Sequence, residues 1–385
     1  MVKTTTKDLD IRDKKIHKLW IASMTATVIF LSAIILMWIN VIFFYKPHPA
    51  QINTLDEIPG ILKKYEKQFN GEPIQIPTGF FIQSFYFHDS QTVVFTGVIW
   101  QKYPKDAGKK GILKQIVLPE ANARIFSNLS YEVSYDDYDL IGWDYTGVSL
   151  YQKFDYSKYP LDQQTIWIKV IPKDFFKDIF LVPDLAAYST TNSDDLFGLD
   201  KEIIPGAFRL QKTYFSIVEY SASTNFGIKD FDIEHTKMPE LMFNIVVKRN
   251  FMNSFLLYLL PVIVIWGLLF GLTMVMSSDT EKANAFKFAT TSSLTALAGS
   301  FFSVLLAQMS LRANFAAQPV TYLEYFYFIT YAVIFLLALN AFFVTAKTGK
   351  TSFITWENNL IPKLLFWPVI LGSISIITFI IFYTN

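Results

Sequence analysis

Small and hydroxyl-bearing residues fill the middle of residues 279–312, a stretch long enough to cross a bilayer as a helix. Lipid favours large apolar side chains, whereas small polar ones suit a helix interface or a water-filled path. At about 3.6 residues per turn, the two kinds of residue separate onto opposite sides of such a helix. We therefore interpret the stretch as the wall of an ion pore, with a tightly packed helix contact as the alternative. The polar side holds Ser292, Thr295, Gly299 and Ser303, and the apolar side holds Leu294, Leu297, Phe301 and Leu305.

A single stripe on this helix is expected to face the pore. It follows the spacing i, i+3, i+7, i+10 and i+14, and it is polar at its start and apolar at its end. Bulky apolar side chains can close a pore by excluding water, so the last two residues of the stripe are the candidate gate. An alternative register would leave a wide pore without a gate. The preferred stripe is Ser292, Thr295, Gly299, Phe302 and Leu306, and the alternative is Ala285, Ala289, Ser292, Ala296 and Gly299.

Charged residues precede the stripe in the sequence. Asp279 and Glu281 would form rings of carboxylates at the inner mouth of an assembled pore, and such rings favour cations. Lys282 and Lys287 lie beside them and oppose that effect. We therefore expect some preference for cations, with an ordinary charged loop at the membrane interface as the alternative.

The composition of the whole chain predicts a protein that is partly in a membrane and partly in water. It has 385 residues, of which 52% are hydrophobic and 17% charged, and its mean hydropathy is +0.30. The net charge of +1 gives no overall attraction to nucleic acid. The chain has no cysteine, and its four histidines are scattered singly, so we expect neither disulfides nor a metal site. No pattern of nucleophile and base stands out, and we expect no cofactor and no enzymatic activity.

Five apolar runs predict membrane-spanning helices. Residues 1–18 are basic and polar, which predicts a cytoplasmic N-terminus before the first span at 19–45. That span is longer than the core of a secretory signal, so we interpret it as an uncleaved anchor, with a cleaved signal as the alternative. The other four spans lie in residues 251–385, where basic residues concentrate in the loops that would be cytoplasmic. Their expected bounds are about 252–276, 282–311, 322–345 and 363–383.

The region between the first and second spans predicts a β-sandwich outside the cytoplasm. Residues 46–70 read as a linker with a short helix, and residues 71–250 change to a period of two. Runs at 77–87 and 92–101 predict a hairpin, and about eight to ten short strands are expected in all. The expected fold class is a membrane protein with an extracellular or periplasmic β-sandwich followed by a four-helix transmembrane bundle, and with an additional N-terminal transmembrane helix.

The residues Lys158–Val170, KYPLDQQTIWIKV, resemble the loop at the base of the sandwich in the prokaryotic pentameric ligand-gated ion channels, relatives of the Cys-loop receptors. The resemblance covers about 71–383, although the loop cysteines are absent and the N-terminal anchor is not part of the usual four-helix plan. The segment between Glu281 and Thr321 is also longer than the family pattern. The matching positions are Tyr159, Pro160, Leu161, Asp162 and Gln164, with Arg249, Pro261, Pro319 and Glu324 in support.

The resemblance implies a homopentamer in a bacterial inner membrane, in contact with lipid, that passes small ions when a periplasmic ligand, proton or ion binds. It places Asp162 and Arg249 near the junction of sandwich and membrane, where they would form a shielded ion pair or remain two independent charges. Tyr159, Pro160 and Pro319 would share that gating interface. A non-conducting membrane-anchored sensor or assembly protein that reuses the same sandwich is the alternative function.

The resemblance also implies a ligand site between neighbouring sandwiches, where aromatic rings can form a cage around a cation. The identity of the ligand does not follow from the sequence. The candidate cage residues, chosen by their order along the chain, are Trp100, Phe175, Phe176, Phe226 and Phe231.

Overall fold

The computed structural model describes residues 6–43, 51–52, 54–65, 69, 71–121, 127–229, 237–276, 290–315, 319–345 and 356–384. These residues form two compact units, which we call the sandwich unit and the helical unit. The sandwich unit contains the strands. The helical unit contains the long helices together with the segment Tyr156–Asp162, which lies between two strands in the sequence.

The sandwich unit is a two-sheet, β-sandwich-like domain. Within the described residues it has ten strands in two five-stranded sheets, in the orders β1-β9-β10-β7-β4 and β5-β6-β3-β2-β8. Neighbouring strands pair antiparallel except β2 with β8, which are parallel. The strands are β1 Gln51–Ile52, β2 Ile74–Phe87, β3 Thr92–Pro104, β4 Ile116–Val117, β5 Ser127–Ser134, β6 Tyr138–Tyr151, β7 Gln163–Pro172, β8 Ile179–Pro183, β9 Phe208–Ser221 and β10 Lys237–Arg249. Two short helices, α2 Ile58–Tyr65 and α3 Lys105–Lys109, complete the unit.

The predicted hairpin is present as β2 and β3. Its turn is held by the Asp89 carboxylate, which accepts hydrogen bonds from the backbone N–H groups of Gln91 and Thr92 at 2.7 and 2.8 Å. Alternation turns every second side chain of β2 toward the other sheet. Phe80 of β2 accordingly stacks on Phe243 of the facing sheet, with ring centroids 5.3 Å apart, and both are fully buried. The core of the unit therefore lies between the two sheets.

In the part of the chain that the structure describes, the helical unit has five helices that are long and apolar enough to cross a membrane. Several apolar helices of this kind fit a membrane protein. Their mean hydropathies lie between 1.6 and 2.5 over the most apolar window. The helices are α1 Thr6–Phe43, α4 Phe251–Val275, α5 Thr290–Asn314, α6 Tyr322–Thr345 and α7 Trp356–Phe379.

The helix bounds differ from the predicted ones mainly at polar ends. The first helix begins at Thr6 rather than at residue 19, and α7 begins at Trp356 rather than at 363. Backbone hydrogen bonds continue a helix beyond its apolar run, so hydropathy marks the membrane-compatible part and not the helix end. The predicted start of the pore helix at 282 lies outside the described residues, and α5 ends at Asn314 rather than at 311.

A widened turn interrupts α4 at Phe255–Leu259. Pro261 lies two residues after its end, and proline has no backbone N–H and clashes with the carbonyl one turn earlier. The wider turn accommodates both effects without ending the helix. A local widening of the helix therefore accommodates Pro261, which the sequence had placed in this span.

Candidate functional site

The predicted pore stripe lies on the open side of α5. Ser292, Thr295 and Gly299 are exposed, and Phe302 and Leu306 are 60% and 66% exposed. The opposite side of α5 packs inside the unit. That packed side consists of Ser293, Leu297, Val304 and Leu311, which are all buried.

The packed side of α5 differs from the apolar side that the sequence indicated. Leu297 is buried as expected, but Phe301 is exposed, and Val304 takes the central position expected of Leu305. Phe301 instead reaches Tyr331 of α6, with ring centroids 5.5 Å apart. The buried side of α5 is therefore centred closer to Val304 than the predicted apolar side was. Contact with the neighbouring helix, and not residue type alone, determines which side chains are buried.

The hydroxyl groups near the stripe donate into their own helix. Thr295 Oγ1 donates to the carbonyl of Thr291 at 2.9 Å, and Ser303 Oγ donates to the carbonyl of Gly299 at 3.0 Å. A hydroxyl that donates in this way still has lone pairs free to accept. The open side of α5 therefore presents oxygen acceptors, which can solvate a cation.

One end of α5 is tied to the start of α6. Arg312 lies 3.1 Å from Glu324 and also donates to the carbonyl of Pro319 at 3.3 Å. The Glu324 carboxylate in turn accepts from the backbone N–H of Thr321 at 2.7 Å, which caps the N-terminus of α6. Pro319, a predicted member of the gating interface, therefore takes part in the connection between the two helices.

The segment Tyr156–Asp162 packs among the helices. The Tyr159 hydroxyl donates to Ser254 of α4 at 3.0 Å, and its ring lies 4.8 Å from that of Phe315, just beyond α5. Tyr156 contacts the same Phe315 ring at 4.9 Å. Tyr159 and Pro160 were predicted members of this site, whereas Phe315 was not, because nothing in the sequence pairs it with a loop more than 150 residues earlier.

The same segment holds the first turn of α6 through the backbone. The N–H of Tyr322 donates to the carbonyl of Ser157 at 2.8 Å, and that of Leu323 donates to Tyr159 at 3.2 Å. These donors belong to a helix N-terminus, where backbone N–H groups have no partner inside the helix. The segment Tyr156–Asp162 is therefore joined to the start of α6 by two backbone hydrogen bonds.

Asp162 and Arg249 lie in different units. Asp162 is buried, and the Arg249 guanidinium lies over the Phe208 ring at 4.5 Å within the sandwich unit. Their predicted ion pair stays a prediction. The inner-mouth acids Asp279 and Glu281 lie outside the described residues.

A cavity of about 400 Å³ lies within the sandwich unit, and we call it the sandwich cavity. Phe175 and Phe226 line it with their rings 5.0 Å apart, edge to face, and Phe176 lies beside Phe175. Three of the candidate cage residues are thus brought together. Trp100 is not among them, because its indole donates to Asp184 at 2.9 Å and its ring contacts Tyr188. Phe231 lies outside the described residues.

A charged triad also lines the sandwich cavity. Lys169 of β7 lies 3.0 Å from Glu240 of β10 and 3.3 Å from Glu120, which follows β4. Trp167 donates to Oε1 of Glu120 at 2.8 Å. The other oxygen of Glu120, Oε2, is buried without a hydrogen-bond partner among the described residues. Glu120 is therefore a lining residue of the cavity whose carboxylate is only partly satisfied by hydrogen bonds.

Burial and neighbouring charges shift the pKa values of Glu240 and Lys169. Desolvation raises the pKa of Glu240, and repulsion from Glu120 adds to that rise, so the ion pair with Lys169 does not restore the ordinary value. Desolvation acts to lower the pKa of Lys169, but the two carboxylates outweigh it and raise that pKa. The triad therefore holds one ammonium group beside two carboxyl groups that repel each other when ionised, and a positive ligand would relieve that repulsion.

The triad was not predicted, although the sequence contains a signal for it. Lys169 is the single charged residue in the apolar run 166–171 of β7, and Glu240 interrupts a similar run in β10. A charge at such a position is costly unless it has a partner. Pairing these strands would have suggested an ion pair between them.

No family model matches the chain, and no curated protein matches it in sequence. The function is therefore inferred from the geometry of α5, of the segment Tyr156–Asp162 and of the sandwich cavity.

Proposed function

We propose that the chain is one subunit of a homopentameric ligand-gated ion channel of a bacterial inner membrane. The observation that carries this proposal is the open, polar stripe of α5. Five copies arranged around an axis would turn Ser292, Thr295 and Gly299 toward a shared aqueous path. Phe302 and Leu306, which are large, apolar and exposed, would narrow that path and close it by excluding water.

A preference for cations follows from the same surface. Hydroxyl groups that donate into their own helix direct only lone pairs toward the path, and lone pairs solvate cations better than anions. Rings of Asp279 and Glu281 at the inner mouth would act in the same direction. Their position relative to the stripe is a matter of sequence order alone.

The sandwich cavity is the proposed ligand site, and a small organic cation is the proposed ligand. Its ammonium group would pair with the carboxyl groups of Glu120 and Glu240 and would relieve their mutual repulsion. The rings of Phe175 and Phe226 would add cation–π attraction. The bound cation would favour the open state only to the extent that it binds that state more tightly.

The segment Tyr156–Asp162 would carry the response from the sandwich to the pore helix. It connects β6 to β7 along the chain, and it contacts Phe315 beyond the end of α5 and the first turn of α6. A shift of this segment would therefore displace the end of the helix that bears the gate.

A non-conducting sensor or assembly protein is the second candidate. It is favoured by the internal hydrogen bonds of Thr295 and Ser303, which allow a hydroxyl-bearing face to pack in a dry contact between subunits. Ion flux distinguishes the two. Purified protein in liposomes should form pentamers by mass and pass K⁺ or Na⁺ when small primary amines are added over a pH series. Absence of flux under every condition, in protein that is folded and pentameric, would favour the second candidate.

A further inference from the structure

The helix α1 is joined to the rest of the helical unit near one of its ends. The indole N–H of Trp38 donates to the hydroxyl of Tyr322 at 2.9 Å, and that hydroxyl bonds with Thr378 of α7 at 2.7 Å. The Trp38 ring also lies 5.5 Å from the ring of Phe251, the first residue of α4. Trp38 therefore contacts the first residues of α4 and α6. It is linked to α7 through the Tyr322 hydroxyl, which bonds with both Trp38 and Thr378.

The rest of α1 lies along α7. Ser23 donates to the carbonyl of Leu364 at 2.5 Å, and Ser375 donates to the carbonyl of Phe30 at 3.2 Å. A Cβ at Gly372 would lie 3.3 Å from the Phe30 ring, so glycine allows close approach there. Small residues and side-chain hydrogen bonds of this kind hold helices together in lipid. The position of Trp38 is thus set by a long, specific contact.

The residue that accepts from Trp38 also holds the segment Tyr156–Asp162. Tyr322 uses its hydroxyl toward Trp38 and its backbone N–H toward Ser157. The next N–H, that of Leu323, binds Tyr159. Tyr322 is 1% exposed, so neither bond competes directly with bulk water.

We infer that Trp38 is a positioning residue through which α1 holds the first turn of α6 against the segment Tyr156–Asp162, and thereby sets the balance between closed and open channels. The positioning depends only on the contacts within the helical unit. The effect on opening rests on the proposed function. Through the contact of Trp38 with Tyr322, α1 can favour one state of the channel without lining the ion path and without touching the ligand.

Hydrogen–deuterium exchange of the full-length protein in nanodiscs tests the positioning. Trp38→Phe removes the indole N–H and keeps an aromatic ring, and Tyr322→Phe removes the hydroxyl. Trp38→Phe should accelerate exchange in peptides covering residues 156–162 and 319–324 by about fivefold, the size expected for loss of one hydrogen bond. Tyr322→Phe, which also removes the bond to Thr378, should accelerate it at least as much. The double variant should add little to Tyr322→Phe, because Tyr322→Phe already removes the acceptor of the Trp38 bond along with the bond to Thr378.

The matched control is Trp20→Phe, which makes the same change on the same helix about 27 Å away along its axis. It should leave exchange in both regions unchanged. Unchanged exchange in β7, residues 163–172, would show that each variant is folded. Wild-type exchange in Trp38→Phe, or equal acceleration in Trp20→Phe, would overturn the inference.

Current recordings test the effect on gating. In Trp38→Phe and Tyr322→Phe the activating concentration should shift by about fivefold while single-channel conductance stays the same, since neither residue lies in the stripe. Faster exchange with an unchanged activation midpoint would overturn the gating part. Wild-type protein that passes no current would end the proposed function instead, and the exchange result would still decide the positioning role.

Discussion

The exposed faces of α4 and α5 differ in composition, although both helices are long and apolar enough to cross a membrane. The exposed residues of α4 include Leu256, Val264 and Leu268, which are large and apolar. Those of α5 include Ser292 and Thr295. Because lipid and water select different side chains, hydropathy identifies a helix as membrane-compatible, but its exposed face identifies the medium it contacts.

Introducing a carboxylate on each exposed face should give the largest difference. An aspartate inside a spanning helix costs about 3 kcal/mol on insertion when it faces lipid. We expect Leu268→Asp to reduce the amount of membrane-inserted, pentameric protein severely, and Thr295→Asp to leave that amount close to wild type. Both positions lie at least five residues from the helix ends. Quantification of inserted protein by detergent extraction and size-exclusion chromatography checks this, and equal losses would mean that both faces contact lipid.

Two leucines on opposite sides of α5 sharpen the comparison within one helix. Leu297 is 2% exposed and Leu306 is 66% exposed. We expect Leu297→Ala to destabilise the protein by about 2 kcal/mol, because it leaves a cavity in a packed contact. Leu306→Ala should change stability by less than about 0.5 kcal/mol but raise the current in the absence of ligand several-fold.

Thermal unfolding in detergent and basal ion flux measure the two effects separately. A large loss of stability in Leu306→Ala, with no change in basal flux, would place Leu306 in a subunit contact rather than at a gate.

The sandwich cavity is a charged site, in contrast to the exposed faces of α4 and α5, and the effect expected there is a smaller one, on ligand affinity. The pKa of Glu240 is raised above its ordinary value of 4.5, so on acidification Glu240 takes up its proton before an ordinary glutamate does. Protonation removes a negative charge beside Lys169 and Glu120, and affinity for a cationic ligand should fall about fivefold. Isothermal titration of a primary amine between pH 7 and pH 5 measures this change.

Acidification should lower the affinity for a cationic ligand but raise the stability of the sandwich. A carboxyl group with a raised pKa contributes stability that is fully present below 4.5 and is lost as pH rises through the folded-state pKa. Glu240→Gln should therefore remove both the fall in affinity and the gain in stability on acidification. Retention of both effects in Glu240→Gln would assign them to another group.

Local sequence patterns predicted the strands and helices, whereas the charged triad and the contacts of α1 depend on residues that are far apart in the sequence. The hairpin of β2 and β3 followed from alternation and a turn, and the stripe of α5 followed from helical periodicity. The charged triad did not, because Glu120, Lys169 and Glu240 are brought together by strands far apart in the chain. The contact of Trp38 with Tyr322 joins the first long helix to the fourth, and no period within either helix encodes it.

Reaction of single cysteines with water-soluble thiol reagents tests the central claim most directly. The chain has no cysteine, so each engineered thiol is the only one present. In reconstituted protein, the reagent should block the current of Ser292→Cys and Thr295→Cys and leave that of Val304→Cys, a buried position on the opposite side of α5, unchanged. Failure of the reagent to react at Ser292→Cys and Thr295→Cys, or equal block at Val304→Cys, would contradict a water-filled path along this stripe.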